Sequence, residues 1–173
     1  MKKLIIATRN QNKFKEIVKI LSGIPFEISP LPFDCPDVIE DGKTFEENAA
    51  KKAKSAFMCT GEISIADDSG LMVDYLNGAP GVYSSRFAPT DKDRIDKLLK
   101  ALSGVPKEER GAKFVCVVAI AFSLEKIEVI RGEIEGYISL SPQGNSGFGY
   151  DPIFYCPKYK RTFAQLGELK NNI

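Results

Sequence analysis

The chain is 173 residues long, 43% hydrophobic and 27% charged, with a formal net charge of +1. That length suits one domain, and a compact chain of this size buries about 70% of its unfolded surface, so it needs no staples to fold. The balance argues against a disordered or membrane-embedded chain, and against a nucleic-acid binder that relies on bulk electrostatics.

Leu4 to Ala7 is a short apolar run that gives way to the polar stretch Thr8, Arg9, Asn10, Gln11, Asn12, Lys13. Beyond it Phe14, Ile17, Val18 and Leu21 fall at helical spacing. Strand, polar loop, helix is therefore the predicted opening unit. It places Asn10 to Lys13 at a helix N-terminus, where free backbone N–H groups and the helix dipole favour an anion. Phe26 to Ser29 reads as a second strand, followed by a proline-rich loop through Pro36.

Thr44 followed by Glu47 has capping-box spacing and predicts the next helix start. Phe45, Ala49, Ala53, Ala56 and Phe57 trace a narrow apolar stripe, suited to close packing on a sheet. After Gly61, Ile63 to Ala66 reads as a strand interrupted by Asp67, Asp68, Ser69 and Gly70, with Leu71 to Val73 continuing it. Thr90 with Asp93 predicts a third helix, carried by Ile95, Leu98, Leu99 and Leu102. Phe114 to Phe122 is unbroken apolar, the pattern of a central strand buried on both faces. Ile127 to Ile138 suits an adjacent antiparallel strand, with Gly132 or Gly136 marking a bend. Ile153 to Tyr155 reads as a last short strand. The expected fold class is α/β with a mixed sheet.

The sequence has no histidine. Proton transfer must fall to carboxylates, lysine, tyrosine, cysteine or a metal-bound water. The four cysteines, 35, 59, 116 and 156, lie far apart without a CxxC pair and read as reduced cytosolic thiols. The nine-residue apolar run is too short to span a membrane, and the N-terminus has no signal-peptide pattern, so a cytoplasmic location is expected.

Asp67-Asp68-Ser69-Gly70 is the sharpest local feature. Two adjacent carboxylates inside an apolar strand are costly unless paired or metal-bound. The same four residues also read as a plain turn, and composition favours that reading. From Asp34 to Asp74 ten acidic residues face four lysines, whereas Met1 to Phe33 carries six basic residues against two acids. Such a split suits a metal-bound polyphosphate, and equally two ordinary surface faces. There is no Walker A or GxGxxG sequence. Phe148 and Tyr150 beside Asp151 suit stacking on a nucleobase, although Phe148 taken alone reads more readily as core.

Five segments together resemble the inosine triphosphate pyrophosphatase family, which acts on noncanonical purine nucleoside triphosphates. They are Thr8 to Lys13, Glu40 to Phe45 with Glu47 to Ala49, Ala66 to Leu71, Gly78 to Ser84, and Gly147 to Phe154, in family order over nearly the whole chain. The resemblance implies an elongated mixed sheet flanked by helices, forming two lobes around a central cleft. It also implies a homodimer and Mg²⁺-dependent hydrolysis of ITP, dITP and XTP to monophosphate and pyrophosphate. Nucleic acid and membrane are not expected partners.

By that resemblance Thr8, Arg9, Asn10, Gln11, Asn12 and Lys13 form the phosphate loop, and Lys52 is a second phosphate contact. Glu40 and Asp68 are metal ligands, Asp68 is also the base with Asp67 in support, and Ser69 meets substrate. Phe148, Gly149, Tyr150 and Asp151 form the base pocket, with Phe148 stacking and Lys170 approaching the purine 6-position. A Ser-His-Arg motif follows that lysine in the family. This sequence ends at Ile173, where the motif is due, so the single domain is expected to continue beyond it. Two alternatives stand beside this reading: a related pyrophosphatase for modified pyrimidines, dUTP, dTTP or UTP, and a nucleotide-binding module without turnover.

Overall fold

A computed structural model describes residues 2–172. Its strands are β1 (Lys2–Ile6), β2 (Phe26–Pro30), β3 (Ile63–Val73), β4 (Gly111–Ala121), β5 (Ile127–Ile138), β6 (Phe154–Cys156) and β7 (Arg161–Thr162). They form one seven-stranded sheet in the order β2-β1-β3-β4-β5-β6-β7. β1 pairs in parallel with β2 and β3, whereas β6 pairs antiparallel with β5 and β7, so the sheet is mixed. The helices are α1 (Gln11–Ile20), α2 (Phe45–Thr60), α3 (Asp91–Ala101) and the short α4 (Phe163–Leu166). The chain divides into two compact units. The first runs to Asp68 and adds Cys116–Gly132; the second comprises Ser69–Val115 and resumes at Glu133.

In the first unit the parallel β1–β2 pair is closed by α1, as a parallel connection requires. The predicted stripe Phe14, Ile17, Val18 and Leu21 packs on Leu4, Ile6 and Ile65. Asn10 caps α1, its Oδ1 accepting the backbone N–H groups of Asn12 (2.9 Å) and Lys13 (3.2 Å). Thr44 caps α2 by accepting the Glu47 N–H. The return arm of the predicted box is shifted, because Glu47 accepts the N–H of Lys43 rather than that of Thr44. Ala49, Ala53 and Ala56 are buried, and Gly61 at φ +69° ends the helix in the left-handed conformation.

Three expectations are corrected here. Residues 67–70 are not a turn but the middle of the unbroken strand β3. β4 is fully buried on one face only: Val115, Val117, Ala119 and Ala121 are buried, while on the other face Phe114, Val118 and Ile120 are half-buried against the cores and Cys116 is exposed. Cys35 and Cys59 are not thiols but a disulfide. The physical reason lies in the loop before α2. The nine residues 36–44 can span about 30 Å when extended, more than the roughly 24 Å length of a 16-residue helix. The loop thus runs the length of α2, and Cys35 meets the helix's last turn.

In the second unit Thr90 caps α3 as predicted, and Ile95, Leu98 and Leu102 join Leu71, Val73, Ile138, Ile153 and Phe154 in one core. Arg110 is buried, donating to the carbonyls of Leu102, Ile138 and Ser139 at 2.9 to 3.0 Å. Burial, with no carboxylate among these acceptors, draws its pKa down. The Ala79–Pro80 peptide is cis. Neither predicted glycine breaks β5; Gly136 instead serves close approach, since a Cβ there would strike Tyr155 O and sit 2.8 Å from Phe154 Cζ. Among the described residues no helix is long and apolar enough to cross a membrane.

Gly136→Ala is therefore expected to destabilise the protein by about 1–3 kcal/mol, the range for overpacking, in urea unfolding. Gly61→Ala, with nothing within 4 Å of its Cβ, should cost only the left-handed backbone strain of about 1 kcal/mol.

Candidate active site

Extended backbone sends neighbouring side chains to opposite faces, and β3 uses this to give Asp67 and Asp68 different partners. Both are buried. The Asp67 carboxylate accepts the Lys13 ammonium from the first turn of α1 at 2.6 Å. Burial pulls the Lys13 pKa down, but the negative groups around it, Asp67 foremost and Asp68 behind it, together outweigh burial and the net shift is upward, so Lys13 stays charged. Asp68 accepts an N–H from the Asn48 side chain (3.0 Å) and lies 3.8 Å from Lys52, both on α2. Burial lifts the Asp68 pKa, and Lys52 and Asn48 only partly reverse it. A carboxylate made more basic in this way is suited to accepting a proton. Ser69, half-buried, follows on the same strand.

Glu40, in the loop before α2, meets the same lysine, with Lys52 Nζ 3.0 Å from Glu40 Oε2. One cation is thus within reach of Glu40 and Asp68 together, although 28 residues separate them in sequence. Among the described residues no group of three or more acidic, histidine or cysteine side chains converges to cage a metal. Two carboxylates at one point nevertheless fit Mg²⁺, which commonly takes one or two protein carboxylates and completes its shell with phosphate and water. Glu40 and Asp68 are the residues that could hold such an ion.

The Thr8 to Lys13 stretch is more committed to itself than the sequence suggests. Asn10 N–H donates to Thr8 Oγ1 (3.1 Å), and the Asn12 and Lys13 N–H groups are taken by the Asn10 cap. Arg9 donates to the carbonyls of Pro32 (3.0 Å) and Cys35 (2.8 Å) and pairs with Asp37. Its contacts hold the loop that carries Glu40. Gln11 and Asn12 lie exposed at the start of α1.

In the second unit Phe148 is half-buried and lies outside the core, contrary to its reading in isolation. The Lys170 ammonium stands 4.6 Å from the centroid of its ring and donates to Asp151 Oδ2 at 2.8 Å. Asp151 also accepts the Phe148 N–H (3.0 Å). Tyr150 belongs to the apolar core: it is buried, and its hydroxyl donates to Ser84 O (2.8 Å). Burial raises its pKa and keeps the phenol neutral. Ile173 lies outside the described residues.

Asn48 is the residue that sequence reasoning missed. Fully buried, it accepts the Gly42 N–H on Oδ1 (2.8 Å) and donates to Asp68, tying the Glu40 loop to the strand. Its signal was present: Asn48 and Lys52 sit at i and i+4 on α2, a polar line beside an alanine stripe.

The sequence matches the Ham1 family over residues 4–173. A dITP/XTP pyrophosphatase from Desulforamulus reducens is 48% identical, the alignment covering 99% of this chain and 88% of the relative. A dITP/XTP pyrophosphatase from Geobacter sulfurreducens is also 48% identical, with 100% and 90% covered. The solved structure of a HAM1 protein from Coxiella burnetii superposes with a TM-score of 0.90 at 41% identity, covering 99% of this chain and 90% of that one.

An Asp68 pKa raised from 3.8 means that ionisation opposes folding above that pH. In the metal-free protein Asp68→Asn should therefore be more stable than the parent at pH 7, and this difference should shrink at pH 4. Denaturant unfolding at the two pH values checks it. A variant less stable at pH 7 would show that Asp68 is held by its partners at a net gain.

Proposed function

The chain belongs to the Ham1 family, and on that premise we propose that it is a nucleoside triphosphate pyrophosphatase hydrolysing ITP, dITP and XTP to monophosphate and pyrophosphate. The observation that carries the reading is Lys52, whose ammonium reaches both Glu40 and Asp68. It supports a point where two carboxylates address one cation beside a lysine able to hold phosphate. Mg²⁺ bound to Glu40 and Asp68 would neutralise phosphate charge.

In this reading Asp68 accepts a proton from water as its oxygen attacks the α-phosphorus. The bond from that phosphorus to the bridging oxygen breaks, and pyrophosphate leaves with the bonding pair. Lys13 and Lys52 hold the negative charge of the leaving group. Asp67 keeps the Lys13 ammonium in place through their 2.6 Å contact. Thr8 and the Asn10-capped start of α1 present the phosphates with hydroxyl, amide and dipole rather than free N–H groups. Ser69 faces the substrate beside Asp68.

Phe148 stacks on the purine, on the turn that Gly149, Tyr150 and Asp151 complete. Lys170 donates to the 6-oxo group; adenine presents a donor there and leaves the ammonium opposed by an N–H, the kind of mismatch that produces large discrimination. The resemblance also carries a homodimer and a cytoplasmic location into this proposal. The Cys35–Cys59 disulfide runs against the second, since disulfides are rare in reducing compartments.

Turnover of ITP, dITP, XTP, GTP, ATP and dUTP with Mg²⁺, read as pyrophosphate release, tests the reading. The first three should lead, and Asp68→Asn should lose at least about two orders of magnitude in kcat. Preference for dUTP would move the enzyme to the pyrimidine class, and no release from any substrate would leave a binding module.

A further inference from the structure

The turn Gly147–Asp151 carries two glycines in the left-handed region, Gly147 at φ +78° and Gly149 at φ +60°. Glycine loses more conformational freedom on ordering than any other residue, so such a turn depends on its anchors. Asp151 supplies one, accepting the Phe148 N–H and the Lys170 ammonium on the same oxygen. Gly147 packs so tightly beneath that carboxylate that a Cβ there would strike it. Tyr150 supplies another through its hydrogen bond to Ser84 O.

A third anchor comes from a residue that neither the chemistry nor the base pocket uses. Asp91, the first residue of α3, accepts the Gly149 N–H on Oδ2 at 2.7 Å. Its other oxygen takes the Arg94 guanidinium at 2.6 Å, and Arg94 is itself fixed by donating from Nε to Ala88 O at 2.9 Å. A charged acceptor makes this bond stronger than an ordinary backbone pair. It acts on the residue directly after Phe148.

We propose that Asp91 is a positioning residue that holds Gly149 and so fixes the pitch of the Phe148 ring, setting affinity for the purine and selectivity among bases. This rests on the reading of Phe148 as the stacking residue. A ring held in its bound orientation spends no ligand-binding energy on being ordered, and a turn released from α3 must be ordered by the ligand. Chemistry at the α-phosphorus, carried by residues of the first unit, is left unchanged. Binding and base preference are what move.

The competing role is purely structural, because a carboxylate in the first turn of a helix also stabilises that helix. Asp93, in the same turn, is the control. In Asp91→Ala the KM for ITP should rise about tenfold, with kcat within about twofold and a smaller ITP-over-ATP preference in kcat/KM. Asp91→Asn keeps an acceptor for the Gly149 N–H and should restore KM and preference; Asp93→Ala should leave both alone. Calorimetric binding of IMP without metal, run on the same proteins, should show the same loss in Asp91→Ala and the same rescue in Asp91→Asn.

Unchanged KM, preference and IMP affinity in Asp91→Ala would overturn the proposal, as would an equal loss in Asp93→Ala. If Asp91→Ala does not fold, Arg94→Met takes its place, since it removes the partner that fixes Asp91; unchanged IMP affinity there would overturn the proposal too. Failure of the parent protein to hydrolyse ITP would instead count against the proposed function, and the IMP measurements would still decide the role of Asp91.

Discussion

Everything in the first unit is organised around placing two adjacent carboxylates inside a sheet strand. A buried carboxylate without a partner is among the costliest groups in a fold. β3 meets the cost by pairing Asp67 with Lys13 from α1 and Asp68 with Asn48 and Lys52 from α2. The compensation at Asp68 is incomplete, since its pKa stays above the ordinary carboxylate value. An acid left partly unsatisfied is a poor choice for stability and a good one for taking up a proton or a cation.

The loop that brings Glu40 to this point has little apolar burial of its own. Phe33 and Ile39 are exposed on it, while Cys35 is buried. Its position comes instead from polar and covalent anchors: Arg9 on the carbonyls near its start, Asn48 on Gly42, and the bond from Cys35 to Cys59. Arg9 thereby holds the segment that carries Glu40.

What was legible in the sequence was local. Thr44 and Thr90 cap helices because the signal lies within four residues, Asn10 stands at the helix start where the change from polar loop to apolar stripe puts it, and the stripes of α1 and α3 pack as their spacing predicts. What was not legible depends on partners distant in sequence. Residues 67–70 read as a turn because Asp, Ser and Gly are turn formers, and the lysines that make an extended backbone tolerable there lie far away in sequence. The cysteine pairing is hidden in the sequence because only a loop running back along a helix brings Cys35 to Cys59. Phe148 read as core because an aromatic residue usually is, and nothing nearby in sequence announces Lys170 or Asp91. β7 and α4 are too short to leave a periodicity.

The proposed chemistry depends on Glu40 and Asp68 addressing one cation, and a double-mutant cycle on Mg²⁺ affinity tests this most directly. Calorimetric titration of Mg²⁺ into the metal-free protein, Glu40→Gln, Asp68→Asn and the double variant separates the cases. Shared coordination predicts that either change alone weakens binding by at least about tenfold and that the second adds little, the mark of coupled sites. Losses that simply add, or an affinity indifferent to either carboxylate, would contradict shared coordination.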